Sequence, residues 1–280
     1  MIKRLSATAA AIGLSTSLAG CLTVSVPEGQ FFYPDTRVQA EKLILAPGPA
    51  IPGAEVLSLP FAGGAVAATR VRTGRADAPL ILYCGGNLFR RGVSGAQVAA
   101  ELAPFGDVLM FDYPGSGDTP GQASFATYRD AGEVIAATAR AQADAEGRRL
   151  IAWGHSLGGP ICAEAARLIR ADALVLEATT PTARAAVDSM VGLWRPIVRV
   201  QLAEPLTAVD VPATLDGYSG KVVVLEASRD TTLPPVLSRK LAHDLRARGV
   251  NVERLVFARA DHGDIPSQPD FVTRVGAALN

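Results

Sequence analysis

Strand-like and helix-like runs alternate along most of this chain. Residues 55–61 and 65–72 flank Gly63-Gly64, which predicts an antiparallel hairpin. Residues 80–84 (Leu-Ile-Leu-Tyr-Cys) are a short continuous apolar run, as a strand buried on both faces requires. A helix is expected over 93–102, a strand over 107–113, an alanine-rich helix over 126–143 and a strand over 149–153. A helix over 160–170 follows, then strands at 173–176 and 221–227. An amphipathic helix over 235–249 closes on Gly249, before a strand at 252–257 and a last helix over 271–279. Such alternation implies right-handed crossovers, and so an α/β domain with a mostly parallel central sheet and helices on both faces. In open sheets of this kind, sites lie beyond the carboxyl ends of the strands.

The first 50 residues stand outside that alternation. Lys3 and Arg4 form a positive start, and residues 5–19 carry no charge. That run is too short to span a bilayer comfortably and has the pattern of a signal sequence. It ends in Leu18-Ala19-Gly20-Cys21, which resembles the lipobox of bacterial lipoproteins. The resemblance implies cleavage after residue 20, a diacylglycerol on the Cys21 thiol and an acyl group on its amine. Membrane attachment would then come from the lipid anchor. Leu22 stands where an aspartate would signal inner-membrane retention, which favours the periplasmic side of the outer membrane. Residues 22–50 carry Pro27, Pro34, Pro47 and Pro49 with little periodicity, and 21–45 are expected to form a tether and lead-in segment. The folded domain is expected over 46–280, with 180–219 as a small cap.

Composition narrows the classes. Hydrophobic residues make up 49% of the 280 and charged residues 19%, a balance far from disorder. Lys plus Arg and Asp plus Glu both number 27, so no basic face is implied and nucleic acid is excluded as a partner. Loss of Lys3 and Arg4 with a signal peptide would leave a slight acidic excess.

The candidate chemistry centres on Gly154-His155-Ser156-Leu157-Gly158, a G-x-S-x-G motif between strand-like and helix-like runs. A serine at such a sharp turn is pushed out of the sheet, and the following helix aims free N–H groups at it. The serine needs a base, and the chain has three histidines. His155 lies inside the turn, on the side away from where Ser156 must act, and His243 sits among charged residues of a helix. His262 follows the last strand and is placed to reach Ser156. The base needs a carboxylate. Asp230, in the loop after strand 221–227, is the first choice and Glu177 the second; Asp261 and Asp264 adjoin the histidine too closely for good geometry. Two backbone N–H groups are needed for a developing oxyanion. Leu157 supplies one and Asn87 the other, with Leu88 as its neighbour, in the loop after 80–84. Cys84 and Cys162 read as small buried hydrophobes. No metal-binding motif is present, Gly115-Ser116-Gly117 reads as a turn, and no cofactor is expected.

Taken in order, Phe32-Tyr33-Pro34-Asp35, Gly86-Asn87, Asp112-Tyr113-Pro114-Gly115-Ser116-Gly117, the serine motif, Asp230 and His262-Gly263-Asp264 resemble the α/β-hydrolase superfamily. The likeness is to a small-cap serine-hydrolase subgroup with a G-H-S-x-G signature and covers about residues 31–280. Gly85 and Pro114 depart from that subgroup, which often has histidine and arginine there. The resemblance implies an esterase, lipase or thioesterase acting on a small acyl ester through a Ser156–Asp230–His262 triad and an acyl-enzyme. Alternatives are a peptidase or amidase on cell-envelope material, or a non-catalytic binding lipoprotein. The apolar stretch from Met190 to Leu202 in the cap reads equally as an acyl-binding wall, a membrane-facing lid or a helix packed on the core.

Overall fold

A computed structural model describes residues 22–192 and 197–280. The expected signal peptide and Cys21 lie outside the described residues. In chain order the elements are β1 (Leu22–Val26), α1 (Asp35–Ala40), β2 (Glu55–Phe61), β3 (Gly64–Val71), β4 (Leu80–Cys84), α2 (Arg91–Leu102) and β5 (Asp107–Phe111). Then come α3 (Phe125–Ala145), β6 (Leu150–His155), α4 (Gly158–Leu168), β7 (Ala173–Glu177), α5 (Ala183–Val191) and β8 (Val198–Leu202). The chain ends with α6 (Glu204–Thr207), α7 (Val211–Thr214), β9 (Lys221–Ala227), α8 (Pro235–Ala247), β10 (Val252–Phe257) and α9 (Phe271–Leu279).

Among the described residues, eight strands form one sheet in the order β10-β9-β7-β6-β4-β5-β3-β2. The six from β10 to β5 run parallel, while β2 and β3 form the expected hairpin at one edge, with β3 antiparallel to both β2 and β5. Strand pleating divides the core. Leu80, Leu82 and Cys84 join one buried cluster with residues of α3, α4 and α8, whereas Ile81 and Tyr83 join another with residues of α2 and α9. Trp153 is fully buried in the second cluster, beside Phe105 and Phe271. Burial of each such large side chain contributes about 1.5–3 kcal/mol.

Asp112 sets two boundaries. Its N–H still bonds Ala67 O at 3.0 Å, but its carboxylate then accepts the Arg91 N–H at 2.7 Å and Arg91 Nε at 3.1 Å. This ends β5 two residues before the expected position and starts α2 two residues early. At α3, Ser124 Oγ accepts the Thr127 N–H and Thr127 Oγ1 accepts the Ser124 N–H, a reciprocal cap that fixes the helix start.

The expected tether and lead-in segment is described from Leu22 onward. β1 pairs in parallel register with β8, from Leu22 opposite Val198 to Val26 opposite Leu202, in a second, two-stranded sheet. Phe32 is fully buried, with ring centroids 5.0 Å from Phe125 and 4.7 Å from Tyr128. β1 through β8, and Phe32 through α3, thus hold the start of this segment against the rest of the chain. Residues 180–219 lie between β7 and β9 and contain α5, β8, α6 and α7.

Candidate active site

Ser156 sits between β6 and α4 with φ +53°, in the left-handed region that a residue with a Cβ enters at a cost of about 1–3 kcal/mol. Neighbouring bonds hold it there. Its N–H donates to Glu177 O at 2.9 Å, and its carbonyl accepts from Gly159 N at 3.0 Å and Thr179 Oγ1 at 2.7 Å. The turn also needs a side-chain-free residue at 158. A Cβ there would lie 2.0 Å from Cys84 O and 2.6 Å from Gly85 O, inside any allowed contact.

Three residues from three strand ends meet at Ser156. His262 Nε2 is 2.9 Å from Ser156 Oγ, and His262 Nδ1 is 2.8 Å from Asp230 Oδ2. A carboxylate can only accept, so Nδ1 carries the imidazole proton and Nε2 is left to accept from the serine hydroxyl. Asp230 is buried, and its Oδ1 accepts the N–H groups of Thr232 at 2.9 Å and Leu233 at 2.8 Å. The histidine loop has its own brace: Asp261 Oδ1 accepts the His262 N–H at 2.8 Å, and Asp264 Oδ1 the Asp261 N–H at 2.6 Å. Both rival carboxylates thus shape the loop backbone. Glu177, the second-choice acid, is buried and accepts from Trp153 Nε1 at 2.7 Å.

The loop after β4 runs against the serine. A Cβ on Gly86 would lie 3.5 Å from Ser156 Cβ and 2.8 Å from His155 Nδ1. The next residue, Asn87, is clamped through its side chain: Oδ1 accepts the Tyr33 N–H at 2.8 Å and Nδ2 donates to Phe31 O at 2.6 Å. Buried Arg90 adds a bond from Nη1 to Asn87 O at 3.1 Å and one from Nε to Asp35 Oδ1 at 3.0 Å. Leu157 directly follows the serine at the start of α4. Its N–H and that of Asn87 have no protein acceptor among the described residues.

His155 was the residue that sequence reasoning missed. It does not stand clear of the site but closes its back wall. Its Nε2 donates to His262 O at 3.1 Å, and the two rings are 5.2 Å apart. Burial lowers its pKa, against the opposing pull of Glu177. Strand alternation puts His155 on the same side as Trp153, and that was the available signal. His243 is exposed. Cys84 and Cys162 are buried free thiols, and burial pushes the Cys84 thiol up. Among the described residues, no group of three or more His, Cys, Asp or Glu is placed to hold a metal ion.

Comparison with known proteins agrees with this architecture. A family profile described as "Alpha/beta hydrolase family" matches residues 83–274. An uncharacterized protein of Mycobacterium tuberculosis (strain H37Rv) is 30% identical over 182 residues, which cover 60% of this chain and 58% of that protein. Among solved structures, an esterase of Pyrococcus furiosus superposes with TM-score 0.65 at 15% identity, covering 84% of this chain and 96% of its own. A hyperthermophilic esterase of Pyrobaculum calidifontis gives TM-score 0.58 at 19% identity, with 82% and 86% covered. A lipase/esterase of Lactobacillus plantarum gives 0.60 at 16%, with 81% and 99% covered. At these identities the structural likeness speaks to the fold.

Proposed function

Since the chain belongs to the alpha/beta hydrolase family, we propose that it is a serine hydrolase that cleaves carboxylic acyl esters, in the small-cap G-H-S-x-G subgroup. The observation that carries this reading is the unbroken line of hydrogen bonds from Ser156 Oγ through His262 to Asp230, at a serine with φ +53°. In the first half-reaction His262 Nε2 takes the Ser156 proton as Oγ attacks the ester carbonyl. Asp230 holds the resulting imidazolium. The N–H groups of Leu157 and Asn87, with the N-terminal end of α4, receive the oxyanion. His262 then passes the proton to the departing alcohol and leaves an acyl group on Ser156. In the second half-reaction it activates water, which attacks that acyl group and frees the serine. Every step is served by side chains and backbone of this chain.

The esterase and lipase names of the structural neighbours support ester over amide substrates. The lipobox-like Leu18-Ala19-Gly20-Cys21 supports attachment through a lipidated Cys21, on the periplasmic side of the outer membrane. The test is turnover of p-nitrophenyl esters of graded chain length beside the matching p-nitroanilides. Ester hydrolysis abolished by Ser156→Ala is expected. Preferential cleavage of the anilides would replace the reading with an amidase, and no turnover of either by folded protein would favour a binding role.

A further inference from the structure

The outer end of the cap presents an apolar surface that the body does not cover. In α5, Ala183, Ala186 and Val187 are buried, and helical spacing puts Met190 on that same stripe. Yet Met190 is 65% exposed, one position before the helix stops at Val191. The chain comes back as β8, preceded by Ile197, which is 54% exposed. The two elements lie side by side. Arg184 Nη1, near the start of α5, bonds Val200 O in the middle of β8 at 2.9 Å. Met190, at the last turn of α5, and Ile197, just before β8, are the exposed apolar residues at the adjoining ends of these two neighbouring elements.

The register of β1 shows what meets the start of β8. Because β1 runs parallel to β8, Val26 lies at the inner end opposite Leu202, and its carbonyl accepts the Ala203 N–H at 3.0 Å. Leu22 lies at the outer end opposite Val198, next to Ile197. In sequence Leu22 is preceded by Cys21 and, behind Lys3 and Arg4, the charge-free run 5–19. Whether that end carries lipid on Cys21 or keeps its apolar run, the membrane-seeking sequence joins the described chain at Leu22, opposite the residue that follows Ile197. Arg199 follows two residues after Ile197, on the exposed face of β8, about 7 Å further along the strand. That spacing suits a cation at the depth of anionic lipid headgroups.

We propose that the exposed Met190 at the end of α5 and Ile197 before β8 form a membrane seat, entering the acyl region of a phospholipid bilayer beside the point of anchoring. The inference rests on the membrane attachment proposed above and not on the hydrolase chemistry. β1 acts as a short strap that fixes how the domain faces the bilayer. A bare tether would let it tumble.

The test uses the full, lipid-processed chain in phosphatidylethanolamine–phosphatidylglycerol vesicles. Nitroxide labels are placed at Met190→Cys, Ile197→Cys and, as the reference, Val56→Cys on β2, where the side chain is 73% exposed. Flotation reports attachment, and hydrolysis of a water-soluble ester in the same sample reports the active site. The expected result is flotation of all three, with collision by oxygen relative to a water-soluble nickel chelate several-fold higher at 190 and 197 than at 56. Equal nickel access at the three positions in floating protein would overturn the seat while leaving attachment intact. Failure to float would overturn the attachment and the seat together, with esterase activity read independently.

Discussion

Replacing Asp230 with asparagine tests the orientation of the histidine with little change of shape. In the native site Asp230 Oδ1 accepts two backbone N–H groups, and Oδ2 accepts His262 Nδ1–H. Asparagine keeps an oxygen for the Thr232 and Leu233 N–H groups, so its NH₂ must face His262. Two donors cannot share that contact. The imidazole proton moves to Nε2, which then donates to Ser156 and can no longer take its proton. Loss of the base through the wrong tautomer costs about 10⁴ in kcat, equal to about 5.5 kcal/mol of transition-state stabilisation. Three charge-assisted bonds become neutral ones at about 1 kcal/mol each, so the fold loses about 3 kcal/mol and persists. Steady-state hydrolysis of a p-nitrophenyl ester, with a thermal melt beside it, reads both quantities. Glu177→Gln is the paired variant: its amide oxygen can still accept from Trp153 Nε1, and kcat should stay within about threefold, since Glu177 bonds neither triad side chain. A folded Asp230→Asn enzyme within tenfold of wild type would refute the reasoning. So would a Glu177→Gln enzyme that lost most of its activity.

Three further outcomes follow from local geometry. Gly158→Ala places a Cβ on two backbone carbonyls and should destabilise the fold by about 3 kcal/mol in urea titration, whereas Gly92→Ala in α2 meets nothing within 4 Å and should gain about 0.5 kcal/mol. His155→Phe fills the same space but loses the bond to His262 O, and kcat should fall about tenfold with KM unchanged. Buried Arg70 grips both oxygens of Glu146 at 2.7 Å and lowers its pKa to about 2. A lowered acid pKa means the unfolded chain binds the proton more readily, so this contribution is whole above the ordinary carboxylate range and lost as pH falls towards 2. Glu146→Gln should be less stable at neutral pH, with a shallower loss of stability below pH 5 in denaturant titrations.

The parts that were legible in the sequence are those set by local pattern. β10 and α9 occupy the expected residues, because each is a periodic run bounded by turn residues. The serine turn was visible because Gly154, Ser156 and Gly158 form a compact signal in context. Asp230 and His262 could be chosen because strand ends point to one edge of a parallel sheet. Other features depended on partners distant in sequence. β1 alternates Thr23-Val24-Ser25-Val26, but its mate begins at Val198, and the prolines after it suggested a tether. The end of β5 followed from the bond between Asp112 and Arg91, which no periodicity encodes. The clamp of Asn87 on Phe31 and Tyr33 spans more than fifty residues, so only the backbone of Asn87 was considered. His155 faces away from the serine side of the turn, and alternation from Trp153 encodes that side, but its bond to His262 O joins residues 107 apart in sequence.

The most direct measurement is covalent labelling of the full chain by a fluorophosphonate probe, beside Ser156→Ala and His262→Ala. The account predicts rapid labelling of the wild type and none in the two variants, with all three proteins folded. A folded wild type that resists the probe, or labelling that survives in Ser156→Ala, would contradict an activated Ser156.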